Sequence, residues 1–81
     1  MTDLLEKRRI LRDAGYSYSF DREVYVNRDE KKVLSLEFVE DNDQAELQRK
    51  IAEPNGSAWR FYFNSPPSPG IRRELESLLA G

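Results

Sequence analysis

Hydrophobic positions along this chain switch between helical and alternating spacing, and each switch marks an element. Over residues 3–14, Leu4, Ile10, Leu11 and Ala14 fall within a third of a helical wheel, and Gly15 follows as a left-handed stop. Asp3 with Lys7, and Arg9 with Asp13, stand four residues apart and are placed to pair along that helix. From residue 16 the period drops to two. Tyr16, Tyr18 and Phe20 alternate with Ser17 and Ser19; after a turn at Asp21-Arg22, Val24 and Val26 alternate with Glu23, Tyr25 and Asn27. Beyond the polar residues 27–31, Leu34, Leu36 and Phe38 alternate with Val33, Ser35, Glu37 and Val39. Three strands joined by short polar turns predict an antiparallel meander.

A second helix begins in the acidic run around Asp43, with Glu46 three residues on in a capping-box arrangement. Its apolar stripe is thin, Leu47 and Ile51, and Pro54-Asn55-Gly56-Ser57 ends it. Residues 58–64 return to alternation, with Trp59, Phe61 and Phe63 on one face and Arg60, Tyr62 and Asn64 on the other. A proline-rich connector leads to Ser68 as N-cap and Pro69 at the first helical position. The last helix carries the stripe Ile71, Leu75, Leu78 and Leu79. The order α-β-β-β-α-β-α predicts a single α+β domain: a two-layer sandwich of a four-stranded, mostly antiparallel sheet with three helices. The strand-helix-strand passage at the end suggests a parallel return beside either the first or the third strand. Trp59, Phe61 and Phe63 are expected in the core, and Tyr25, Arg60 and Tyr62 on the open face of the sheet.

Composition narrows the chemistry. The 81 residues contain neither histidine nor cysteine. Histidine is the usual proton carrier near neutral pH, and cysteine the strongest nucleophile and soft-metal ligand. Their absence removes Ser-His-Asp, Cys-His, zinc and haem arrangements. The four glycines form no phosphate cradle or nucleophile elbow. A protein without catalytic activity or cofactor is expected. The carboxylates among residues 37–46 are expected to cap the second helix rather than to hold a metal, because Gln44 and Ala45 stand where a calcium loop needs ligand and glycine.

Thirteen Lys and Arg against fifteen Asp and Glu give a net charge of −2, which disfavours non-specific nucleic-acid binding. No apolar run approaches the ~18 residues of a membrane span. Met1-Thr2-Asp3 opens without the basic and apolar regions of a signal peptide, so a soluble, cytoplasmic protein is expected.

Binding is the remaining class of function. Arg8, Arg9 and Arg12 lie on one side of the first helix around Leu5, and Arg22, Arg28, Lys31 and Lys32 mark the hairpin ends. Tyr25 and Tyr62 beside Arg60 suit a protein interface, where Tyr and Arg are enriched; they also suit base stacking. The candidate binding residues are therefore Tyr25, Arg60, Tyr62, Arg8 and Arg12. A protein partner or self-association is the expected use, with nucleic acid as the alternative. The opening order α-β-β-β-α resembles that of double-stranded-RNA-binding domains. Those domains place a Lys-rich motif at the start of the second helix, where this chain has Asp41-Asn42-Asp43-Gln44. The order also resembles the sheet-type DNA-binding domains of phage integrases, without a shared motif. Element order alone assigns no family.

Overall fold

Helix α1 (Asp3–Asp13) buries Leu11 completely and stops where the sequence predicts. Gly15 takes φ +97, its N–H donates to the Arg12 carbonyl at 3.0 Å, and the Tyr16 N–H reaches back to Leu11 O at 2.9 Å. Bonds of this kind satisfy carbonyls that the helix end would leave bare. A Cβ on Gly15 would meet Asn27 Nδ2 at an ordinary 3.5 Å, so its cost lies in the backbone conformation. Gly15→Ala is expected to lose about 1 kcal/mol in urea denaturation, with Gly15→Asn losing less. An unchanged midpoint for the alanine variant would refute the strain.

This computed structural model describes residues 3–54, 56 and 58–80. Met1, Thr2, Gly81, and Asn55 and Ser57 of the expected turn lie outside the described residues, as do the side chains of Asp3, Leu78 and Ala80. Strands β1 (Ser17–Ser19), β2 (Val24–Asn27), β3 (Lys32–Ser35) and β4 (Arg60–Tyr62) form one sheet in that spatial order. The first three pair antiparallel, and β4 lies parallel to β3. The α+β architecture and the mostly antiparallel sheet match the sequence expectation, and the parallel return lies beside the third strand.

The third strand is shorter than the alternation predicts. It ends at Ser35, and helix α2 (Leu36–Asp41) begins without a loop. Ser35 is the N-cap, accepting the Phe38 N–H on its hydroxyl at 3.1 Å. Leu36 and Val39 stand three apart, so the same residues that alternate as a strand also form a helical stripe. A capping hydroxyl at the right position decides between the two. Helix α3 (Gln44–Ala52) follows, N-capped by Asp43, whose Oδ1 accepts the Glu46 N–H at 2.8 Å. The helix between the third and fourth strands is thus a pair.

Register decides which residues share a face. Tyr18, Tyr25, Leu34 and Tyr62 stand opposite one another across all four strands, and Ser17, Val26, Val33 and Phe61 make the adjacent row on the reverse side. The first face carries the main core: Leu11, Tyr16, Tyr25, Leu34, Val39 and Leu47 pack together, with Phe38, Ile51 and Tyr62 against them. Tyr25 and Tyr62 therefore point inward, opposite to the expectation. Trp59, Phe61 and Phe63 are half-buried and lie outside that core cluster.

Helix α4 (Pro69–Ala80) covers the reverse side, starting from Ser68 as expected, with Ile71 N–H on Ser68 Oγ at 3.3 Å. Its Leu75 is buried beside the valines of β2, Glu74 pairs with Arg22, and Arg72 sits 5.2 Å above the Phe61 ring. Ile71 is exposed. Helices thus occupy both faces, where a two-layer arrangement would leave one open. Tyr62 is free to face the core because Phe61 has α4 to pack against.

Candidate functional site

The surface between α1 and the edge strand β1 gathers most of the unusual exposed chemistry. A groove of about 620 Å³ runs between them, with Leu5, Arg8, Arg9 and Arg12 on the helix side and Ser17 and Tyr18 on the strand side. Arg8, Arg9 and Arg12 point outward because α1 spends its opposite side on Leu11. Arg9 pairs with Glu6 at 2.8 Å, not with Asp13, and Arg12 lies a loose 4.0 Å from Asp13. Leu5 is 65% exposed on the same helix face. At the end of β1, Phe20 is 81% exposed and rests edge-on against Tyr18, ring centroids 4.9 Å apart. Phe20 is thereby moved from the expected inner row to the surface. Single exposed apolar residues are ordinary; here Leu5 shares a groove with three arginines, and Phe20 contacts Tyr18 on its strand side.

The five sequence candidates divide into two groups. Arg8, Arg12 and Tyr25 come together at the groove. Tyr25 is only 5% exposed, so it serves as groove floor and core, not as an outward contact. Burial pushes its hydroxyl above the usual range, and the adjacent Arg8 guanidinium pulls the other way. Arg60 and Tyr62 lie at the opposite edge, engaged with Glu53. The Tyr62 hydroxyl donates to Glu53 Oε2 at 3.0 Å, Arg60 Nη1 stands 3.5 Å from the same oxygen, and Lys50 Nζ is 3.3 Å from Oε1. Burial works against charge on Glu53, but the Tyr62 and Lys50 hydrogen bonds and the Lys50 and Arg60 charges hold its carboxyl below the usual range. Lys50 also stands over the Tyr62 ring. This group ties the end of α3 to β4.

The hairpin cations do not join the α1 arginines. Arg22 is paired with Glu74, and Arg28 borders a separate groove between the β1–β2 side of the sheet and α4. Lys32 is fully buried, contrary to its expected place on a basic surface. Its ammonium donates to the carbonyls of Lys50, Ile51 and Glu53 at 2.9, 3.1 and 2.6 Å, closing the C-terminal end of α3. Lys7 does the same for α2, reaching Glu40 O at 3.2 Å. A cation at that end satisfies bare carbonyls and meets the negative pole of the helix dipole. The signal for Lys32 was present in its parity: it stands two residues before Leu34 and so shares the core face.

The acidic run is spent on structure. Asp43 caps α3, and Asp41 Oδ2 accepts from Asn64 Nδ2 at 2.6 Å. Among the described residues, no three His, Cys, Asp or Glu side chains are grouped to hold a metal ion, and no helix is long and apolar enough to cross a membrane. The α4 groove, about 720 Å³, has Val24, Val26, Leu75 and Leu79 within it and Asp21 and Asp29 at its border, each next in sequence to an arginine. No protein-family model, curated protein or solved structure matches the chain.

Proposed function

We propose that this chain is a non-catalytic binding module that engages another protein through the α1–β1 surface. The observation that carries the reading is a groove lined by exposed Leu5 with Arg8, Arg9 and Arg12, whose strand-side Tyr18 bears the exposed Phe20 ring. Aromatic side chains and arginine are the residue types enriched at protein contact surfaces. The partner surface is acidic, by charge complementarity.

Nucleic acid suits this surface less well. Arg60 and Tyr62 are occupied with Glu53, and the chain as a whole is anionic. A second copy also fits poorly. Two α1 helices related by a two-fold axis and packed antiparallel through this face bring Arg8 and Arg9 of one copy against those of the other.

The test is capture of partner proteins on immobilised chain. Proteins retained by the wild type should be lost with Leu5→Asp plus Phe20→Ser and with Arg8→Glu plus Arg12→Glu, and kept with Arg60→Ala. Capture that is indifferent to the first two variants refutes the proposal. Capture abolished by nuclease transfers the surface to nucleic acid, and a dimer in light scattering transfers it to self-association.

A further inference from the structure

We infer that the ligand is an extended acidic peptide, which adds as a fifth strand to the open edge of β1 with its carboxylates on Arg8 and Arg12. The inference rests on the binding role proposed above and specifies its mode. β1 has β2 on one side and, among the described residues, no strand on the other. Such an edge presents backbone N–H and C=O groups that a further strand can pair. The groove lies between this strand and α1 and reaches inward to Tyr25 of β2. An extended chain added there has its backbone held by the strand and its alternate side chains directed at the helix.

Spacing supports the same occupant. Arg8 and Arg12 are one helical turn apart, about 6 Å along the α1 axis. Side chains on one face of a strand recur every two residues, about 6.7 Å. Carboxylates at positions i and i+2 of an added strand therefore match the two guanidinium groups. α1 and β1 run in opposite directions about Gly15, so Leu5 and Phe20 lie toward the same end, and an apolar side chain two positions beyond the carboxylate on Arg8 reaches toward both. β1 itself cannot supply such a strand to another copy, since Ser17-Tyr18-Ser19 carries no acid.

The probe is a fluorescein-labelled heptapeptide, Leu-Thr-Glu-Thr-Glu-Thr-Leu, followed by fluorescence anisotropy with the full chain. The parent peptide should bind, and Lys in place of Glu should abolish binding. Two further peptides carry N-methyl groups either on the Thr amides or on the Glu and Leu amides. Only one set of amides faces β1, so one methylated peptide should bind at least tenfold more weakly and the other close to the parent. Arg8→Glu plus Arg12→Glu should weaken the parent at least tenfold, with an unchanged circular dichroism spectrum and no loss for Arg60→Ala. Amide exchange of residues 17–19 should slow on binding. Equal binding of both methylated peptides overturns strand addition and leaves the partner surface intact as a side-chain contact. No binding of the parent peptide, with charge-dependent partner capture retained, overturns the peptide as ligand. Displacement of the parent peptide by oligothymidylate overturns it in favour of nucleic acid.

Discussion

Lys32→Met is expected to lower the stability of the chain by about 3 kcal/mol, the largest effect of any single substitution outside the apolar core. Three main-chain carbonyls at the end of α3 accept from one ammonium group with no exposure to solvent, and of the three Lys50 O also takes the Glu53 N–H, at a long 3.4 Å. Methionine keeps the length and apolar stem of the side chain and removes all three bonds. The carbonyls that remain are not free to turn to water without unwinding the last turn of α3. Relief from burying a charge offsets part of the loss, and the three bonds outweigh it because the acceptors stay in place. A domain of this size holds about 4–12 kcal/mol in total, so the variant stands close to unfolding. Urea denaturation followed by Trp59 fluorescence reads the change. A midpoint equal to or above that of the wild type would show that the ammonium contributes nothing.

Tyr16→Phe works in the opposite direction. Tyr16 is packed in the main core, and its hydroxyl meets no partner among the described residues. An unsatisfied buried hydroxyl costs stability, so its removal should raise stability near neutral pH by about 1 kcal/mol. The same residue governs alkaline behaviour. Burial, with smaller contributions from Tyr62 and Glu30, pushes its ionisation up to about 12 from the ordinary tyrosine value of 10.0. Below pH 10 both folded and unfolded chains keep the proton, and the full stabilisation is present. As the pH rises from 10 towards 12 the unfolded chain loses its proton first, so stability falls, by up to about 2–3 kcal/mol. Tyr25 and Tyr62, whose hydroxyls are also raised, add to the fall in both proteins. The difference between wild type and Tyr16→Phe isolates the Tyr16 share: the phenylalanine variant should show the shallower decline in urea midpoints measured at pH 7 and at pH 11. Parallel declines, or a variant weaker than wild type at neutral pH, would show that the hydroxyl is already satisfied.

The elements that were legible in the sequence are those with a clear local signal. Gly15 after α1, Asp43 before α3 and Ser68-Pro69 before α4 all act in the structure as their chemistry predicts. The alternation that placed three strands in series was also sound up to Ser35. Beyond that point Leu34, Leu36 and Phe38 satisfy a strand, while Leu36 and Val39 satisfy a helix. Only the Ser35 hydroxyl on the Phe38 N–H separates them. The facing of β4 failed for a different reason. Trp59-Arg60-Phe61-Tyr62 is bulky on both sides, and which side meets the main core depends on α4 covering the reverse face. No local pattern carries that information. The candidate site was half legible: Arg8 and Arg12 share the α1 groove, but Arg60 and Tyr62 belong to the Glu53 cluster across the sheet. Phe20 could be assigned to the surface only once β1 was known to end at Ser19.

The two lysine caps have an electrical consequence. Lys7 and Lys32 are counted in the formal charge of −2, yet both direct their ammonium groups at main-chain oxygens inside the fold. Much of their field terminates on the negative poles of α2 and α3. An approaching ion or macromolecule therefore meets neither ammonium group directly, and on the exterior the arginines of α1 form a cationic island.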